Sequence, residues 1–155
     1  MATPSKPAPQ HTPTGLEYNG GSLNLLFGQR RNLWRPRHWN LLRAIHADLE
    51  NAAAAGDINS FFEANQAFHL TLHEIADNRW LLHVIEDLRK VIKLSRHHSL
   101  FSDGRLAQSL TEHRDILQAL LARDGSRAEE LMRAHILSGR AALARIAATR
   151  STTTA

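Results

Sequence analysis

Asn65, His69, His113 and His135 can all bind a metal ion, and each stands where a helix should place a core hydrophobe. Across residues 105–123 the apolar stripe runs Leu106, Leu110, His113, Leu117 and Leu120. Across 126–149 it runs Ala128, Leu131, His135, Gly139, Ala142 and Ile146, and across 58–76 Phe61, Asn65, Phe68 with His69, Leu72 and Ile75. Spacings of three and four put these residues on the inward face of an amphipathic helix. An imidazole or amide there loses water and costs a few kcal/mol, roughly, unless something satisfies it. Three helices making the same costly choice points to one shared partner, a cation held between them. Asn65 and His69 lie one turn apart and address the same spot. Nitrogen and oxygen donors without sulfur suit a divalent transition metal, Zn, Ni, Co, Mn or Fe. Four donors leave positions open for water or for the carboxylate of a small organic acid.

The elements that must position these residues are helices. After Pro36, residues 37–55 carry Trp39, Leu42, Ile45, Leu49 and Ala52 at helical spacing and stop at Gly56, a natural terminator. Asp57 caps a second helix near 58–76. A third, long helix is expected over 78–100, on Leu81, Ile85, Leu88, Ile92 and Ser95. Ser102, Asp103 and Gly104 form a turn, and a fourth helix ends about Arg123. Asp124 and Gly125 turn again, and Ser126 with Glu129 makes a capping-box start for the fifth. No strand-like alternation occurs. The expectation is an all-α antiparallel bundle of about five helices, with residues 1–36 a disordered or irregular leader, 37–149 the helical domain and 150–155 a disordered tail. Residues 1–22 hold four of the five prolines and cannot bury enough apolar surface to offset the entropy of ordering.

Composition narrows the function. A chain of 155 residues supports one domain with a proper core. No apolar run reaches the ~18–20 residues of a membrane span, so no membrane role is expected. Cysteine is absent, which removes thiolate metal sites and fits a reducing cytoplasm. The formal charge of +4 lies wholly in residues 1–40, since 14 basic and 14 acidic residues balance from residue 41 onward. The helical part therefore carries no phosphate-binding footprint by net charge.

Enzyme signatures are missing. The chain has no Glu-x-x-His pair of a di-iron bundle, no Gly-rich phosphate loop and no nucleophile elbow. His73-Glu74-Ile75-Ala76-Asp77 has Asp where a zincin needs its second His. Glu112 follows the helical rotation of about 100° per residue away from His113, so no general base is expected beside the ligands. Taken singly, each histidine fits a satisfied core position, and His11, His38, His46 and His83 stand out in no pattern. His73 falls at the edge of its stripe, and His97 and His98 sit at a helix end, where dipole and water suffice. The chain is expected not to be an enzyme. The alternatives are a metalloenzyme acting on a small organic acid and a structural helical dimer without ligand.

The order Asn65-Gln-Ala-Phe68-His69, Ala76-Asp-Asn78 with Leu81, Glu112-His113-Arg-Asp-Ile116-Leu117-Gln-Ala119-Leu120, Asp124, Ala128 and Met132-Arg-Ala-His135 resembles the C-terminal effector (FCD) domain of FadR-type regulators in the GntR family. The resemblance covers about residues 40–146. It implies a helical domain that binds a metabolite, commonly a carboxylate, beside a metal, and that forms a homodimer. It places the metal ligands on Asn65, His69, His113 and His135. The first is usually Asp, and Asn lowers the charge of the site and weakens the ion. It also makes Arg96, Ser95 and Asn78 of the long third helix candidates for holding an anionic effector. Nothing before residue 37 reads as a helix–turn–helix with a β-wing, and the chain enters at what resembles the second or third element of the effector domain. A truncated or remodelled regulator is expected, reaching DNA only through a winged-helix domain absent from this chain.

Overall fold

The computed structural model describes residues 35–75 and 99–153 together with His83, Asp87 and His97. Within them are four helices, α1 (Pro36–Ala55), α2 (Ile58–Ile75), α3 (Arg105–Leu121) and α4 (Gly125–Thr153). Among the described residues the protein is all-α. The expected leader before residue 35 lies outside the described residues, as does most of the expected helix at 78–100, where His83, Asp87, His97 and Ser99 are helical. Its effector candidates Asn78, Ser95 and Arg96 are likewise outside them.

Local chemistry sets the helix ends. Pro36 opens α1, where its missing N–H would be unpartnered in any case. Gly56 ends it with φ 65° and ψ 18°, a left-handed conformation that costs glycine nothing. Asp57 caps α2, accepting from the Ser60 N–H at 3.0 Å and the Ser60 hydroxyl at 2.6 Å. The start of α4 differs from the capping box expected at Ser126 and Glu129. Asp124 is the cap instead, its carboxylate accepting from the Arg127 N–H at 3.0 Å. Placed one position past the turn, an aspartate satisfies the free N–H groups better than a serine two residues on. The helix then runs to Thr153, beyond the expected end near 149.

α1 packs on α2 and α3, and α3 packs on α4. The core divides into two apolar clusters. One gathers Leu42 and Ile45 of α1, Phe68, Leu72 and Ile75 of α2, Ile116, Leu117 and Leu120 of α3, and Ala128 of α4. The other gathers Leu49, Ala52, Phe61, Phe62 and Leu100. Between the two sets, along each helix, falls a buried polar position: His46 on α1, Asn65 on α2, and Ser109 and His113 on α3. This layer of heteroatoms is what the helices position.

α3 ends in strain. Arg123 adopts φ 57° to close the helix, with its N–H on the Leu120 carbonyl and that of Asp124 on Ala119. A non-glycine residue costs about 1–2 kcal/mol there. Arg123→Gly is expected to raise stability by about 0.5–1 kcal/mol, read as a higher midpoint in urea unfolding. A lower midpoint would show that the arginine side chain outweighs the strain.

Candidate metal centre and adjoining cavity

The described structure brings His69 from α2, His113 from α3 and His135 from α4 together, each buried. One ring nitrogen from each lies within 4.8 Å of the others. The His113 and His135 rings meet edge to face with centroids 4.5 Å apart, and His69 stacks on His135 at 5.1 Å.

Hydrogen bonding fixes which nitrogen of each ring is available. Nδ1 of His113 lies 2.7 Å from the Ser109 carbonyl oxygen. A carbonyl only accepts, so Nδ1 carries the proton and Nε2 keeps a bare lone pair. That Nε2 is fully buried and has no hydrogen-bond partner among the described residues, a state costing about 1–3 kcal/mol. His135 Nδ1 donates to Oε2 of Glu112 at 2.7 Å, so in its neutral form this ring too presents an unprotonated Nε2. The His135 Nε2 sits 3.2 Å from Nε2 of His69, which must then donate to it. Two inward lone pairs face a single proton.

The surrounding charges sharpen this arrangement. Burial pushes the His113 imidazole down to about 3, with His135 adding to the effect, so the ring stays neutral. Burial alone would raise Glu112, but hydrogen bonds from His135 and Ser138 and the Arg105 charge hold it at about 2. Arg105 reaches Glu112 through Nη1 at 3.1 Å and is itself only 4% exposed.

Asn65 is buried and lines a cavity of about 20 Å³ with His135, Arg105, Ser109, Ser99, Gly139, Phe62 and Leu100. The structure thus sets Asn65 on the cavity wall next to the histidine cluster. Sequence reasoning placed Glu112 away from the site. The structure corrects this: at the α3–α4 contact its long side chain reaches across to His135. Arg105 and Ser109 were also missed. They stand four residues apart and in helical register with His113, whereas the stripe drawn through Leu106 and Leu110 lies one residue off the buried face. His46 did not stand out in the sequence either, yet it is buried, and its Nε2 has no partner among the described residues. Its spacing from Leu42 and Leu49 was the available signal. His73 is half-buried, as expected of a rim residue. His97 meets the Asn59 side-chain oxygen at 2.7 Å and the edges of Phe62 and Phe101, in place of the solvent expected there.

The donor set fits an ion. Two nitrogens bound at about 2.1 Å to a tetrahedral ion stand ~3.4 Å apart. The His69 and His135 Nε2 atoms, 3.2 Å apart, already match this. His113 needs to close by no more than about 1.4 Å from a separation within 4.8 Å. An unpartnered buried Nε2 beside two more imidazoles supplies the neutral ligands such an ion requires.

An all-helical domain with a buried three-histidine centre and an adjoining polar cavity is the class that emerges. The chain belongs to the FCD domain family, which matches residues 32–138, as the sequence resemblance indicated. It is similar to the HTH-type transcriptional repressor RspR of Escherichia coli (strain K12), 33% identical over 79 residues, covering 51% of this chain and 35% of that protein. The uncharacterized HTH-type transcriptional regulator YdfH of Shigella flexneri matches with the same identity and coverage. The match spans about a third of the length of these relatives. The family and its relatives are those of GntR-type regulators and not of enzymes, in line with the enzyme signatures missing from the sequence. Among the described residues, no helix is long and apolar enough to cross a membrane.

Both shifted groups carry the same sign for stability. The unfolded chain protonates its histidines near 6.5 while folded His113 resists to about 3, so acid in that window favours unfolding. Glu112, at about 2 against an ordinary 4.5, extends the loss between those values. Chelator-treated protein is therefore expected to lose melting temperature steadily as pH falls from 6.5 toward 3. His113→Leu is expected to flatten the part above pH 4.5. A melting temperature level across pH 6.5–4.5 in the wild type would contradict a buried neutral His113.

Proposed function

We propose that this chain is the metal-assisted, small-molecule-sensing and dimerisation domain of a GntR/FadR-type transcriptional regulator. The observation that carries this reading is the lone pair on His113 Nε2, buried without a partner among the described residues and facing two further imidazoles inside an FCD domain. His69, His113 and His135 would hold a divalent transition metal, Zn, Ni, Co, Mn or Fe, with Asn65 beside them as a neutral oxygen donor. The bound ion would act as a Lewis acid toward an anionic oxygen of the effector, a small carboxylate.

The chain's own groups prepare the site. Ser109 holds the His113 tautomer and Glu112 that of His135, so both rings present a lone pair without rearrangement. His69 must move its proton from Nε2 to Nδ1, which couples ion capture to a single tautomer change. The effector would enter the cavity bounded by Asn65 and His135. In the complete regulator, effector binding favours one arrangement of a homodimer and thereby sets the spacing of winged-helix units on DNA. Cytoplasmic residence follows from that role, and residues 37–149 form the sensing unit.

Metal analysis and zinc titration test this reading. The wild type is expected to retain or take up one divalent ion per chain, and His113→Ala and His135→Ala to lose it. Glu112→Gln keeps the histidines but weakens the hold on the His135 tautomer, and is expected to lower zinc affinity by about 10–100-fold. His113→Leu removes an unsatisfied buried polar group and is expected to leave metal-free stability equal or higher while abolishing stabilisation by zinc. Unchanged metal content in His113→Ala and His135→Ala would overturn the metal centre.

A further inference from the structure

We infer that Arg105 is the anion anchor of this domain, its guanidinium receiving the carboxylate of the effector in the small cavity beside the histidines. This rests on the reading that the cavity is the effector site.

Burying a guanidinium is costly unless its donors are matched. Arg105 is 4% exposed and pairs with Glu112 through Nη1, yet its Nε–H is fully buried with no partner among the described residues. Glu112 cannot supply the missing acceptor freely. The same Oε2 that takes the Arg105 bond also takes the His135 Nδ1–H at 2.7 Å. A charged donor left unmatched in a native interior calls for an acceptor, and a bound anion is one that supplies it. The guanidinium fork is built to receive a carboxylate through two parallel N–H groups.

The cavity has the composition such a ligand needs. Arg105 lines it beside Asn65, Ser99 and Ser109, and among its described lining residues none is acidic. Its volume of about 20 Å³ has room for one or two waters, which a carboxylate group would displace. Gly139 of α4 keeps the guanidinium accessible: a Cβ at this position would stand 3.8 Å from Nη2, so larger side chains would grow into the space beside the arginine. Arg105 and Glu112 cancel in charge, so a divalent ion on the neutral histidines would leave the cluster at +2 and strengthen the attraction for an anion. Arg105 and the metal centre would thus share one ligand, the arginine fixing its carboxylate and Glu112 linking the two groups.

Sodium acetate is the probe, titrated against chloride at constant ionic strength into chelator-treated and zinc-loaded full chain, followed by calorimetry and melting temperature. Acetate is expected to bind the wild type and to bind more tightly with zinc. Arg105→Gln should weaken acetate at least about tenfold, the scale of one charge-assisted hydrogen bond, with a smaller change in zinc affinity. Arg105→Lys keeps the charge but loses the fork and should fall between the two. Gly139→Val retains Arg105 and should also reduce acetate binding, so it decides the matter if Arg105→Gln does not fold. Acetate affinity unchanged in these variants, or no acetate binding by zinc-loaded wild type, overturns the assignment while leaving the metal centre standing. Acetate binding that depends on Arg105 in protein that takes up no zinc keeps the anchor and removes the metal.

Discussion

A proton held on His113 Nδ1 by the Ser109 carbonyl constrains the interior of this domain more than any other single contact. Because that nitrogen is committed, the opposite face of the ring can only accept, and among the described residues no donor reaches it. The Phe68 ring closes one side of His113 with centroids 5.1 Å apart, which holds the imidazole in plane with nothing to hydrogen-bond. Two apolar clusters stabilise the bundle on either side, and the polar layer between them is tolerated at a cost in free energy. A fold optimised for stability alone would place leucine there. Retaining imidazoles from three helices is intelligible as the cost of a binding site.

The second constraint is the chain of contacts from Arg105 through Glu112 to His135. One carboxylate oxygen serves both an arginine and a histidine, so neither can shift without the other sensing it. Groups tied in this way respond as a unit, and pairwise substitution energies within them should not add. The geometry gives a physical route by which events at the cavity and events at the histidines influence one another, with no moving element needed beyond a shared side chain.

Much of this was legible in the sequence, and the reasons are particular. His113 and His135 break stripes that are otherwise apolar, so their inward placement follows from helical periodicity alone. Gly56 and Asp57 announce a helix end and a helix start by their chemistry, and both take those roles. Glu112 escaped because rotation about a helix axis predicts where a Cβ points, not how far a long flexible side chain reaches. Arg105 escaped for a related reason: an arginine at the first residue of a helix reads as solvated until the neighbouring helix that covers it is known. Ser109 was hidden because its function lies in a backbone carbonyl, which sequence does not distinguish from any other. His46 sits among hydrophobes at helical spacing, and its burial was there to be read from Leu42 and Leu49.

The two-residue link at Gly56 and Asp57 has a mechanical consequence. With α1 and α2 joined so tightly and packed along their length, they move as one stiff hairpin, and His69 is mounted on its second arm. The twenty residues of α1 span about 30 Å. A swing of only ~3° about the Gly56 end would carry His69, about 18 Å from the pivot, through roughly 0.9 Å and Pro36 through roughly 1.6 Å, given the helical rise per residue. A sub-ångström adjustment at an imidazole can in this way become a displacement of atomic size at the far tip of the lever.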